Sequence, residues 1–170
     1  MNDPNNLNID CFYKEEVTST NDALAELCKK DAINKFTILF SDFQTAGKGQ
    51  RGNSWESEYG KNLMFSIALF PTAMKANSQF ILSMLVALGI YDTLKEYADG
   101  FSIKWPNDIY WKDKKICGVL IENEVEGAYI TQSIVGIGLN INQESFLSSA
   151  PNPVSLKQII QQDSDRMDIL

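Results

Sequence analysis

Two lysines, a carboxylate and a carboxamide fall within a short stretch of this chain. Lys104-Trp105-Pro106-Asn107-Asp108 is followed, eleven residues after its first lysine, by Lys115-Ile116-Cys117-Gly118. Upstream, Gln44-Thr45-Ala46-Gly47-Lys48-Gly49-Gln50-Arg51-Gly52-Asn53-Ser54-Trp55 combines three glycines, two cations and a terminal indole. Glycine lets backbone N–H groups approach a ligand closely, and Lys48 and Arg51 add positive charge to those amides. The net charge of the whole chain is −7, so bulk attraction of nucleic acid is not available and a cationic loop suits a small anion. Downstream, Gly136-Ile137-Gly138-Leu139-Asn140 places two side-chain-free positions on one side of a strand. Singly, each piece has an ordinary reading: a hairpin charge at Lys115, packing glycines at 136 and 138, a strand-end cap at Asn140. Four such pieces in one chain ask for a ligand.

The chain contains no histidine. That removes Ser-His-Asp and Cys-His catalysis and the common zinc hydrolase sites. What remains is chemistry done by positioning and electrostatics, and phosphoryl or nucleotidyl transfer fits that restriction. Gly47-x-Gly49-x-x-Gly52 does match the dinucleotide spacing. That motif needs a helix opening on its last glycine and an acid about 20 residues on. Here a polar stretch follows, then a strand ending in Phe70-Pro71, so the nicotinamide reading fails.

The elements that must hold these groups can be read from periodicity. Ser19-Thr20-Asn21-Asp22 is a helix start whose side chains are expected to accept first-turn N–H groups, ahead of an apolar stripe of Ala23, Leu24, Leu27 and Cys28. Asn77-Ser78 opens a longer helix with Ile81, Met84, Leu85, Leu88 and Tyr91 as its apolar face. Strands are expected at Phe36–Asp42, Leu63–Phe70, Phe101–Trp105, Ile116–Asn123 and Ala128–Ile141, with Asp108–Trp111 a candidate sixth. Pro106 is expected to break its strand and turn Asn107 and Asp108 outward, while Lys104 lies near the indole of Trp105. Hairpin turns at Lys112–Lys115 and Glu126-Gly127 make the sheet largely antiparallel. The fold class is α+β: a mixed, largely antiparallel sheet flanked by helices. Residues 1–8 are expected to fray, and a helical segment begins near Ser155. The length of 170 residues suits one domain, 1–170, with its core at about 9–145. No run approaches the roughly 18 apolar residues of a membrane span. Cys11, Cys28 and Cys117 lack CxxC pairing, as in a reduced, cytoplasmic protein.

Taken in order, these motifs resemble the catalytic domain of biotin protein ligases (biotin–[carboxyl carrier protein] ligases), from about Ser19 to Asn142. Lys-Trp-Pro-Asn-Asp followed by Lys-x-x-Gly is the most specific part. The resemblance implies a fold related to class II aminoacyl-tRNA synthetases and lipoate ligases. It implies that biotin and Mg-ATP give biotinyl-5′-AMP and pyrophosphate, after which a lysine of a biotin carboxyl carrier domain takes the biotinyl group. By the family's pattern Ser19, Thr20, Asn21, Gln44, Gly47, Lys48, Gly118 and Gly136 surround biotin. Gln50, Arg51, Trp55, Lys104, Asn107, Lys115 and Asn140 lie on the nucleotide side, with Asp108 a candidate Mg2+ contact. Lys115, Arg51 and Lys48 carry the catalytic charge. No general base is needed, because a carboxylate is already an anion near neutral pH. The glycine loop is expected to order over the adenylate and exclude water.

One departure stands out. The family loop usually reads Gly-Arg-Gly-Arg, whereas Gly47-Lys48-Gly49-Gln50 has neither arginine, and lysine lacks arginine's bidentate fork. An adenylate held less firmly, and less selective labelling of lysines, is the expectation. No helix-turn-helix precedes Ser19, so no DNA binding is expected; a homodimer is left open. The family's small C-terminal β-barrel, which assists ATP and carrier engagement, is absent from these residues, so good biotin binding with poor turnover is expected. Two alternatives stand beside the ligase. One is a lipoate or octanoyl transferase, although its usual Arg-Arg-x-Gly-Gly-Gly segment and histidine are absent. The other is a non-catalytic biotin- or nucleotide-binding module.

Overall fold

The computed structural model describes residues 9–31, 33, 35–147 and 152–170, the side chain of Arg51 excepted. The fraying expected of residues 1–8 concerns residues outside that set. Seven strands form one sheet: β1 (Asp10–Val17), β2 (Thr37–Gln44), β3 (Leu63–Leu69), β4 (Phe101–Lys104), β5 (Asp108–Trp111), β6 (Lys114–Glu126) and β7 (Tyr129–Leu139). Their order across the sheet is β1-β2-β3-β7-β6-β5-β4. Only β1 and β2 run parallel. That pair needs a crossover, and helix α1 (Thr20–Lys30) supplies it, packing Leu24 and Cys28 against Leu39, Ala68 and Ile134. The remaining pairs are antiparallel, as the turn chemistry predicts. Asp108–Trp111 is a strand, closed onto β6 by Lys112-Asp113, with Lys112 in the left-handed region at φ 55°.

The structure corrects four expectations. Strand β1 was not expected: Asp-Cys-Phe-Tyr-Lys-Glu-Glu-Val is exposed at six of its eight positions, and an edge strand with so little burial writes no alternation into its sequence. Helix α2 (Phe80–Lys95) follows a 3-10 turn at Ala76–Ser78, but the expected face is largely the wrong one. Ile81, Met84, Leu85 and Leu88 are 43–59% exposed, whereas Leu82, Ala87 and Leu94 are buried, with Val86, Ile90 and Tyr91 packed beside them. The helix is apolar nearly all round, so periodicity alone cannot choose a side. Ser19 sits at the N-cap of α1 without a side-chain capping bond; the amide oxygen of Gln44 takes the Thr20 N–H instead. Asn107 does not turn outward but is 3% exposed, its Nδ2 donating to the Val119 carbonyl at 3.1 Å.

Near the C-terminal end, α3 (Leu156–Ile160) begins with a capping box between Ser155 and Gln158 and buries Leu156. Helix α4 (Arg166–Ile169) follows. Arg166 donates to the Asn62 carbonyl at 3.0 Å and to Asp42 at 2.8 Å, fastening this segment beside β2.

Candidate active site

The central strands bring two short rows of residues together on one face. Across β3, β7 and β6, Met64 is registered with Gly138 and Gly138 with Gly118; one step along, Ser66 is registered with Gly136 and Gly136 with Leu120. Four of these six positions line or underlie a cleft of about 590 Å³ whose walls come from the start of α1, the end of β2 and the 47–55 loop. Missing side chains make the floor low. A Cβ on Gly118 would stand 2.9 Å from Trp55 Cζ3, and one on Gly136 would overlap the Asn21 carboxamide. The indole thus rests on one glycine row and the Asn21 amide on the other.

The polar end of the cleft is a connected network. The Thr20 N–H and hydroxyl donate to Gln44 Oε1 at 2.8 and 3.2 Å. An oxygen must face that N–H, so the Gln44 NH2 group turns the other way, where Met64 Sδ lies at 3.6 Å. Ser66 Oγ lies 2.8 Å from Thr20 Oγ1 and 2.6 Å from Asn21 Oδ1. Asn21 Nδ2 donates to Glu122 Oε2 at 2.7 Å and to the Leu120 carbonyl at 3.4 Å. Ser19 is 2% exposed and joins the lining. The sequence reading missed Ser66 and Glu122. Glu122 carried a signal, since Gly118, Leu120 and Glu122 alternate onto one face of β6.

The glycine loop is a miniature hairpin. Gly49 N–H donates to the Asn53 carbonyl at 2.7 Å and Trp55 N–H to the Gly47 carbonyl at 2.8 Å, with a 3-10 turn at Gln50–Gly52. Two contacts pin it down. The Lys48 ammonium pairs with Asp22 on α1, and that hydrogen bond raises the lysine above its ordinary range and keeps it charged. Gln50 Nε2 donates to Asn107 Oδ1 at 2.8 Å and to the Val119 carbonyl at 3.2 Å. The Arg51 side chain lies outside the described residues. Gly47 holds the base of the hairpin without lining the cleft.

Lys115 occupies the junction of two cavities. Its Nζ is 2.7 Å from Asp108 Oδ2, both side chains being about a quarter exposed at 25% and 26%. With Ser54 and Trp55 it lines the cleft and also a small cavity of about 40 Å³ completed by Glu56, Asn140, Phe146 and Pro153. Asn140 Nδ2 donates to the Val154 carbonyl at 3.1 Å. Asn140 Oδ1 and Trp55 Nε1 are buried without a hydrogen-bond partner among the described residues, and such orphans in a cavity wall are what a polar ligand would satisfy. Lys104 is not brought to the cleft lining. Its ammonium lies 4.5 Å from the centre of the Tyr110 ring, not over Trp105, while Trp105 is 76% exposed at the cleft mouth.

Comparison with known proteins identifies the family and the fold. Residues 13–140 match the model of the biotin/lipoate A/B protein ligase family. A bifunctional ligase/repressor BirA of Bacillus spizizenii is 35% identical over 137 residues, covering 79% of this chain and 41% of the relative. Among solved structures, the Aquifex aeolicus biotin protein ligase in complex with biotin and ATP superposes with TM-score 0.78 at 32% identity, covering 94% of this chain and 65% of that one. The Leishmania major biotin protein ligase in complex with biotin gives TM-score 0.78 at 26% identity, with 94% and 69% covered. The chain thus spans about two-fifths of the length of that curated relative. The matched segment holds the polar network, the loop hairpin, the glycine rows and Lys115, and the chain belongs to the biotin/lipoate A/B protein ligase family.

Proposed function

We propose that this chain is the catalytic domain of a biotin–[carboxyl carrier protein] ligase. Biotin would lie in the large cleft, its ureido ring at the Gln44–Thr20–Asn21 end, where the Gln44 NH2 can donate to the ring carbonyl. The amine edge of adenine would meet the small cavity, where Asn140 Oδ1 can accept from the exocyclic amine and Phe146 and Trp55 offer apolar surface. The observation that carries this reading is the shared wall: Lys115 and Trp55 border both cavities. An ammonium at the junction faces the biotin carboxylate and the α-phosphate together. It offsets their repulsion and stabilises charge developing at phosphorus. A carboxylate oxygen of biotin bonds to the α-phosphorus as the bond to pyrophosphate breaks. The ε-amine of a carrier lysine then bonds to the acyl carbon, the bond to the AMP oxygen breaks, and the amine proton passes to solvent. Asp108, beside Lys115, orients the ammonium between these steps, and the hairpin loop with Trp55 excludes water from the mixed anhydride.

Magnesium would arrive on the ATP phosphates and not in a protein cage. Asp108, the expected contact, is already paired with Lys115, and among the described residues no three His, Cys, Asp or Glu side chains converge. Mg2+ takes few protein ligands when phosphates supply the rest, and no step above depends on it. Lys48, tied to Asp22, acts by holding the loop beside biotin. The three cysteines are free. The test is biotin-dependent exchange of labelled pyrophosphate into ATP, followed by acid-stable transfer of biotin to a carrier domain. Exchange is expected; biotin binding without exchange would leave only a binding module.

A further inference from the structure

Glu122 does not border the cleft, yet it decides how one cleft residue presents itself. An anionic carboxylate can only accept hydrogen bonds, and Glu122 Oε2 lies 2.7 Å from the Asn21 amide. The Leu120 carbonyl, a second acceptor, faces the same group at 3.4 Å. The Asn21 NH2 must therefore point toward β6, and its Oδ1 toward Ser66 and the Gly136 row. Oδ1 has two acceptor positions, of which Ser66 fills one. At the other end of the network a backbone N–H fixes Gln44 the opposite way, with its NH2 facing Met64 Sδ at 3.6 Å and a second hydrogen left to donate. The floor thus carries a set polarity, a donor at Gln44 and an acceptor at Asn21. A cyclic urea, with a carbonyl flanked by N–H groups, needs that pairing.

We propose that Glu122 is a positioning residue that locks the Asn21 carboxamide with its oxygen toward a ligand N–H, so that the cleft selects a cyclic urea over rings lacking that donor. The inference rests on the biotin reading of the cleft. In the unpinned state the Asn21 amide can rotate by 180° and offer a donor where the ligand also has one. Such a mismatch leaves a buried polar group unpaired, and that is where discrimination of this kind comes from.

The test uses the whole chain and titration calorimetry with two ligands: biotin, and its isostere in which a ring oxygen replaces one ureido N–H. Wild type should prefer biotin by about tenfold or more, one hydrogen bond's worth of discrimination. Glu122→Ala should weaken biotin and reduce that preference. Glu122→Lys, which places a donor against Asn21, should reduce it further. Glu122→Gln can still accept from Asn21 and should recover most of the loss. If all variants weaken both ligands by the same factor, or leave the preference untouched, Glu122 has no positioning role although the biotin reading stands. If wild type binds neither ligand, the biotin reading and this inference fall together.

Discussion

Replacing Lys115 by glutamine keeps most of the side-chain length and removes only its charge. The ammonium and Asp108 are each about a quarter exposed, so an effective dielectric near 20 is appropriate. At that value a full charge about 4 Å from an ammonium is worth about 4 kcal/mol. Losing one preorganised contact to a developing charge costs about 10²–10³ in rate. The same substitution should cost the fold little, because partly exposed ion pairs contribute at most about 1 kcal/mol, or about 2–4 °C in Tm for a chain of this size. The assay is biotin-dependent pyrophosphate exchange measured beside thermal melting. Expected is a fall in exchange of two to three orders of magnitude, with biotin binding weakened much less than exchange and melting nearly unchanged. A loss below tenfold, or one that simply follows a collapse in Tm, would refute the placement of Lys115 between the two reacting anions.

Gly118→Val should abolish biotin binding and weaken nucleotide binding less, since a Cβ there already meets Trp55 of the shared wall at 2.9 Å; calorimetry with each ligand checks it, and loss of both together with a large fall in Tm would point to the sheet. Gln50→Ala removes the bonds to Asn107 and Val119 and should speed tryptic cleavage within the 47–55 hairpin, with cleavage elsewhere unchanged. For Asp42, burial pushes the carboxyl up, but hydrogen bonds from Tyr13 and Arg166, together with the guanidinium charge, outweigh it and hold the group below its ordinary 3.8. A depressed carboxylate stabilises the fold above its unfolded pKa, and that contribution disappears as pH falls through the folded value. Melting curves should therefore show wild type losing more stability below about pH 4 than Asp42→Asn does.

What the sequence made legible follows from burial. Strands β2, β3, β6 and β7 are buried on at least one face and announce themselves by apolar content, and Gly136 and Gly138 fall on one side because the pleat repeats every two residues. Strand β1 and the working face of α2 were hidden for opposite reasons: one has too little apolar surface, the other has it everywhere. The Lys-x-x-Gly spacing singled out Lys115 and Gly118, but alternation puts residues three apart on opposite faces; the register shift between β5 and β6 brings the Lys115 side chain beside Gly118. Asn107 was not placed, since its burial depends on Val119 and Gln50, which lie 12 and 57 residues away. Ser66 was unreadable for a similar reason. A serine inside an apolar strand looks like filler until register sets it beside Thr20 and Asn21.

A partition held in common makes its two chambers thermodynamically answerable to one another. Whatever settles Trp55 and Lys115 from one side fixes the boundary that the other side meets. On the proposed function, reciprocity then requires biotin to change nucleotide affinity by the same factor as nucleotide changes biotin affinity. Biotin and nucleotide would be coupled through that one shared wall.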